Sequence, residues 1–247
     1  MMSTTYQVRP QADCYGFGIG ILLIDCSTPF IPGDVGNAST YDYPVLYKTV
    51  EGVSLARLIE QGDESLIDNI VEAAQYMQSM GVRAITSDCG YMIRYQKKVA
   101  DAVSIPVILS SLVQLPMLEL SINRQQKIGI ICANKNRLTP ELLKIAGLQN
   151  LDRAVIYGLE EQPNFRAPIL DETGVLEPEK IQQEVVALAK KMIDEHPEIG
   201  PILLECSNLP PYASAVQHAT GRLVFDYTTM INMYFSASVR KPFSGIY

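Results

Sequence analysis

The sequence predicts an α/β protein of two similar lobes, each a parallel sheet flanked by helices, with an active site in the cleft between them. Three observations carry that expectation. Short apolar runs bounded by turn-forming residues alternate with segments of helical periodicity, which is the pattern of a parallel sheet buried on both faces. The order strand, helix, strand, cysteine occurs twice, once in each half of the 247 residues. Each occurrence ends in a cysteine just beyond a buried-strand pattern, at Cys89 and at Cys206. Ligands of open α/β sheets gather beyond the carboxyl ends of such strands, so both thiols are expected to face a cleft.

Taken in order, residues 17–24 read as a first strand and the Gly-, Pro- and Asp-rich stretch 26–44 as a long loop. Helical periodicity fills 54–80 and stops at Gly81. A strand at 82–86, a helix at 91–103, a strand at 106–109 and a helix at 112–122 follow. In the second half the strands are 127–133, 153–157 and 201–205. The helices are 139–146, with Thr139 as N-cap and Pro140 in the first turn, and 178–195, which stops before Pro197. A last strand at 223–225 and a helix at 228–238 complete the chain. The expected division is a first lobe at 1–111, a second at 112–210 and a C-terminal segment at 211–247.

Composition narrows the function classes. Hydrophobic residues make up 47% and charged residues 19%, which excludes a disordered chain. The net charge of −7 is spread along the sequence without a basic stripe, so neither nucleic acid nor an anionic membrane is an expected partner. Residues 1–13 show no apolar core of a signal peptide, and no later segment approaches the roughly 20 apolar residues of a membrane span. A cytoplasmic location is expected, and homo-oligomerisation is left open. Five cysteines at irregular spacing, with only His196 and His218 to join them, make a poor disulfide framework and a poor metal site. Reduced thiols are expected, Cys132 reads as a small buried hydrophobe, and His218 as a surface histidine.

The two remaining buried-strand cysteines carry the chemistry. Each sits after a strand and before a helix, where unpaired amides favour a thiolate and bring its pKa down from about 8.5. A lone cysteine is more often an apolar filler, but the matched positions and polar neighbours of Cys89 and Cys206 favour a catalytic pair. Gly90 permits close approach of a ligand, while Ser207 and Asn208 offer donors to a carboxylate. Glu205 either tunes the thiol beside it or points away into a salt bridge.

The motifs Thr86-Ser87-Asp88-Cys89 and Leu204-Glu205-Cys206-Ser207-Asn208 resemble those of the aspartate/glutamate/hydantoin racemase superfamily, and the resemblance covers nearly the whole chain. Members use two cysteines, one per lobe, without pyridoxal phosphate. At the first site they commonly have Cys-Asn-Thr, where Gly90-Tyr91 stands here. At the second they have Cys-Thr-His or Cys-Thr-Glu, where Ser207 keeps the hydroxyl and Asn208 replaces the acid or base. The resemblance implies an isomerase without a cofactor: a racemase or epimerase of an amino-acid-type substrate that moves the proton on the carbon alpha to a carboxylate between two thiols. Hydantoin racemases, maleate-type cis-trans isomerases and arylmalonate decarboxylases of the same superfamily, and a two-lobed binding protein without catalysis, are the alternatives.

The resemblance also extends to further positions. Asp25 stands near the Asp-Ser pair of glutamate racemases, within Asp25-Cys26-Ser27, with Cys26 taken as a bystander. Asn37 follows the loop Ile31-Pro32-Gly33-Asp34-Val35-Gly36 and either binds a substrate carboxylate or merely forms a turn. Asn134 takes the place of a Gly-Thr donor beyond the strand at 127–133. Tyr91 is expected to line the pocket with Gly90, and the C-terminal segment is expected to return to the first lobe.

Overall fold

The structure, a computed structural model, describes residues 5, 8, 10 and 14–246. The stretch 1–13, on which the signal-peptide expectation rests, therefore lies largely outside the described residues. Two four-stranded parallel sheets form the frame. The first contains β1 (Ile19–Asp25), β2 (Val45–Ser54), β3 (Ala84–Ser87) and β4 (Val107–Ile108) in the order β2-β1-β3-β4. The second contains β5 (Lys127–Cys132), β6 (Ala154–Gly158), β7 (Ile199–Leu204) and β8 (Val224–Phe225) in the order β6-β5-β7-β8. The same strand order in both sheets puts β1 and β3 at the centre of one lobe and β5 and β7 at the centre of the other. These inner strands are apolar almost throughout because helices cover both faces, as the nearly uninterrupted burial of β3 and β7 shows.

The helices are α1 (Ile67–Ser79), α2 (Gln96–Ala102), α3 (Leu115–Ser121), α4 (Pro140–Ile145), the single turn α5 (Pro163–Phe165), α6 (Pro178–Glu195), α7 (Ala213–Thr220) and α8 (Tyr227–Ser238). Helix α6 has the bounds expected from its periodicity, burying Ile181, Val185, Ala189 and Met192. Thr139 caps α4, its hydroxyl accepting from the Leu142 amide at 3.4 Å. Helix α8 lies on the first sheet, where Tyr227, Met230 and Ile231 pack against Ile19, Ile21, Ala84 and Ile108. Asp226 fixes its start by accepting from the Thr229 amide while the Thr229 hydroxyl accepts from the Asp226 amide.

Two expectations need correction. Strand β2 is absent from the elements expected above, because as an edge strand it mixes exposed Lys48, Thr49 and Glu51 with buried Val50 and Val53 and shows no continuous apolar run. The expected helix 54–80 is three pieces: a wide π-helical turn Ala56–Gln61, a tight turn Glu64–Leu66, and α1. Gly62 in the left-handed region (φ 59°) ends the first piece, and the Asp63 carboxylate accepts from the Ser65 amide to start the second. A second π-helical turn, Arg166–Leu170, follows β6 as Ala56–Gln61 follows β2.

Candidate active site

The carboxyl ends of all four inner strands meet in one small cavity of about 30 Å³, or about 400 Å³ when the open space at its mouth is counted. Cys26 follows β1, Asp88 and Cys89 follow β3, Ala133 follows β5, and Glu205 and Cys206 follow β7; all of them line the cavity. Cys89 and Cys206 thus share one wall system, as expected from their positions at the strand ends. The two π-helical turns cover it: Leu55 and Ile59 approach from one lobe, Ile169 and Leu170 from the other. Leu55, Ile59 and Leu170 also line a larger outer recess, in which Glu60, Glu160, Asp171 and Glu172 stand around Arg166.

The lobes are fastened together at the cysteines. The Ser207 hydroxyl donates to the Asp88 carbonyl, and the Val35 amide donates to the Ser207 carbonyl at 3.4 Å. Ser111 Oγ donates across the lobes to the Leu204 carbonyl at 3.0 Å. Tyr91 Oη donates to the Asn134 carbonyl at 2.7 Å and accepts from the Asn134 amide at 3.1 Å. Cys206 Sγ donates to Asn208 Oδ1 at 3.4 Å, and Asn208 Nδ2 donates to Asp34 Oδ2 at 2.6 Å. A thiol, an amide and a buried carboxyl are therefore connected in series.

Both thiols are pushed well above the ordinary range, first by burial and next by the negative charge of Glu205. One backbone amide opposes this in each lobe, that of Tyr91 for Cys89 and that of Asn208 for Cys206. This corrects the expectation of depressed thiols at helix starts. The helical segments that follow the cysteines, Gly90–Tyr95 running into α2 and Pro210–Tyr212 running into α7, do not offset full burial. Burial also raises Asp34 to about 7, and Asp88 and Glu205 to about 8. Cys26 is pushed to about 11 by burial and by Asp88. Among the described residues lining the cavity there is no Lys, Arg or His.

The expected binding residues divide into two groups. Gly90, Tyr91, Ser207 and Asn208 line the cavity beside the two thiols, although the Ser207 hydroxyl is taken up by Asp88 and the Asn208 amide by Asp34 and Cys206. Asp25, Asn37 and Asn134 are not in its wall. Asp25 is exposed because the outward-facing register of β1 carries it away from the cleft. Asn37 caps the turn Ala38–Thr40 by accepting from the Ser39 amide, and its Nδ2 donates to the Phe30 carbonyl. Asn134 Oδ1 accepts from the Asn136 amide in a local turn. Sequence reasoning misses Asp34 and Asp88, and Cys26 belongs to the wall rather than standing aside. Glu205 makes neither of the contacts a surface acid would: it is 1% exposed and has no salt bridge among the described residues. The acid directly before each cysteine is the available signal.

Fold and cavity together define a two-lobed α/β protein with two thiols at one cleft. The fold is shared with allantoin racemase from Pseudomonas fluorescens (TM-score 0.62, 12% identity, covering 92% of this chain and 99% of that one). It is shared also with arylmalonate decarboxylase (TM-score 0.58, 13% identity, 91% and 93%) and an aspartate racemase homologue from Pyrococcus horikoshii (TM-score 0.56, 16% identity, 89% and 98%). No family model matches the sequence. Sequence relatives are of another kind. The chain is 34% identical over 236 residues to a dimethylsulfoniopropionate lyase of Durusdinium sp. clade D, covering 92% of this chain and 77% of that protein. It is 28% identical over 238 residues to dimethylsulfoniopropionate lyase 7 of Emiliania huxleyi, covering 92% and 69%. The chain belongs to the dimethylsulfoniopropionate lyase family. This overturns the expectation of an amino-acid racemase or related isomerase, which rested on the two-lobed frame that racemases and this chain have in common. Among the described residues no helix is long and apolar enough to cross a membrane.

Proposed function

We propose that this chain is a lyase that eliminates dimethyl sulfide from dimethylsulfoniopropionate. The compound carries a carboxylate at one end and a sulfonium on the carbon β to it. A thiolate of the Cys89 and Cys206 pair takes a proton from the carbon α to the carboxylate. The electron pair left there forms the carbon–carbon double bond, the carbon–sulfur bond breaks, and dimethyl sulfide departs with its bonding pair, leaving acrylate. The leaving group departs neutral and needs no proton, so a single base suffices and the captured proton returns from the thiol to solvent. In a racemase the same α-proton abstraction requires a second acid on the opposite face; here the sulfonium drains the carbanion instead.

The observation that carries this reading is the charge of the wall: Asp34, Asp88 and Glu205 line or adjoin the thiols, and among the described residues no cationic side chain does. Such a cavity disfavours a dicarboxylate and suits a substrate that brings a positive charge of its own. The substrate carboxylate is then held by backbone amides of the turns that follow the two cysteines, at Gly90, Tyr91, Ser207 and Asn208, as in an oxyanion site. The test is direct. Purified protein supplied with dimethylsulfoniopropionate should release dimethyl sulfide and acrylate in equal amounts, with kcat/KM of about 10⁴ M⁻¹s⁻¹ or more. A folded protein that releases neither refutes the proposal.

A further inference from the structure

Asp88 and Glu205 occupy matching places, each immediately before a cysteine and each buried, at 4% and 1% exposure. Asp88 Oδ1 accepts from the Ile24 amide at 2.9 Å, while Oδ2 has no hydrogen-bond partner among the described residues. Neither Glu205 carboxyl oxygen has a well-formed hydrogen bond among the described residues, and only the backbone amide of Ala133 is near enough to favour its charged form. A buried carboxyl oxygen without a partner destabilises a fold, and this fold tolerates such oxygens in both lobes at the same cavity. Room has been kept for Glu205 as well. A Cβ on Gly90 would fall on the Glu205 carboxyl and within 2.7 Å of the Glu205 carbonyl oxygen, so only glycine fits there. Among the described residues no counter-charge in the cavity answers these acids. The cation at the mouth, Arg166, is engaged with Asp171 in the outer recess.

We propose that Glu205, with Asp88 facing the same cavity from the other lobe, is the subsite that receives the positively charged end of the substrate. Naming that end a sulfonium rests on the lyase reading above; the subsite itself calls for any small onium carboxylate. Phe30 adds an aromatic face to the wall, which suits a diffuse methylated cation. The cation does more than bind. In the ligand-free protein the thiols are kept protonated by burial and, where Glu205 and Asp88 are ionised, by their negative charge. A positive charge set against those acids cancels that repulsion, so the substrate itself favours the thiolate that attacks it. Substrates without the cation leave the base unarmed.

The titratable groups that feel Glu205 are Cys89 and Tyr91 beyond β3, Cys132 at the end of β5, the adjacent Cys206 and Tyr227 at the start of α8, with Asp88 and Asp34 near the same thiols. None is a cation. Burial raises Glu205 and Asp88 to about 8, so below that pH a cation must expel a proton on binding, and above it need not. Affinity for a cationic ligand should therefore rise with pH through about 8, with net proton release below it.

Two unreactive probes of nearly the same shape separate charge from fit: 3-(trimethylammonio)propionate and its neutral counterpart 4,4-dimethylpentanoate. Binding to the full chain is measured by titration calorimetry at about pH 6 and about pH 8.5, in buffers of different ionisation enthalpy. The cationic probe should bind at least about tenfold more tightly than the neutral one at the higher pH, with a smaller preference and proton release at the lower. Glu205→Gln should lose most of the preference and keep its affinity for the neutral probe. Equal binding of both probes by the wild-type protein at the higher pH overturns the subsite, as does a folded Glu205→Gln with the full preference. Should Glu205→Gln not fold, Asp88→Asn and the wild-type pH series decide the question by the same criteria. Binding heats need no turnover: cation preference without dimethyl sulfide release defeats only the lyase reading, and release without preference defeats only the subsite.

Discussion

The two acid–thiol pairs, Asp88 with Cys89 and Glu205 with Cys206, are alike in place and unlike in their ties. Both follow an inner strand, both thiols face the same cavity, and in both lobes the amide two residues on opposes the rise in thiol pKa. In the first lobe the acid is tethered, by the Ile24 amide, while no side-chain tie comparable to that of Cys206 holds the Cys89 thiol among the described residues. In the second the arrangement is reversed: Glu205 has no well-formed hydrogen bond among the described residues and only the Ala133 amide beside it, while Cys206 is tied through Asn208 to Asp34. A duplicated frame has been divided between two duties. A thiol whose proton is held by an acceptor differs from one whose proton is free to leave, and an acid without partners is available to a ligand where a tethered one is less so.

The largest effect expected from breaking this arrangement is at the sulfurs. Of Cys89→Ala and Cys206→Ala, the variant that removes the base should lower kcat for dimethyl sulfide release by about 10²–10⁴ with circular dichroism unchanged, and the other should cost less, since only one positioned base is needed. Full activity in either variant removes that thiol from the chemistry. Gly90→Ala comes next. Its methyl displaces the Glu205 carboxyl, and a loss of about 1–3 kcal/mol in denaturant unfolding is expected along with most of the activity. Wild-type stability in that variant would mean that Glu205 has room to spare.

Asn208→Ala tests the series connection in the second lobe. Asn208 lowers the Asp34 pKa by donating to it, so its removal should raise Asp34 above its present value of about 7. The kcat/KM profile should fall about tenfold and its inflection near neutrality should move to higher pH, a shift that a purely structural role does not produce. Stability should respond more gently. Asp34, Asp88 and Glu205 all have folded pKa values raised by burial, so the folded protein holds more protons than the unfolded chain between about pH 4 and 8. The stability of these neutral forms is fully present below the unfolded values and is lost as pH rises through about 7 to 8. Thermal unfolding at about pH 5 and 8.5 should show the decline, and Glu205→Gln should melt higher than the wild type only at the alkaline end. The smallest change is expected at Cys132, which is fully buried and outside the cavity wall. Cys132→Ala should cost about 1 kcal/mol of stability and leave turnover unaltered.

How much of this could be read from the sequence follows from what leaves a pattern. Inner strands and α6 do, because burial imposes apolar runs on the former and a 3.6-residue period on the latter. Edge strand β2 does not, since solvent on one side permits Lys48 and Glu51 among its apolar residues. Cys89 and Cys206 are legible as a pair through their equivalent strand ends. Glu205 is legible only as an alternative between tuning the thiol and a salt bridge, and Asp88 not at all, because an acid beside a cysteine looks like a solvated one until the cavity is seen to close over it. The reaction is illegible for a chemical reason. Abstraction of an α-proton is common to racemases and to the proposed elimination, and what separates them is a leaving group on the substrate, which needs no motif in the protein. Relatives in sequence supply that distinction where the fold does not.

The most direct measurement follows the proton itself. Dimethylsulfoniopropionate carrying two deuteriums on the carbon α to the carboxylate is turned over by the purified protein, and the product is read by mass spectrometry. Elimination by a thiolate base yields acrylate with one deuterium, together with an equal amount of dimethyl sulfide. 3-Hydroxypropionate that keeps both deuteriums, formed in place of acrylate, would show that the carbon–sulfur bond breaks without loss of the α-proton, and would contradict a proton-abstracting thiol pair.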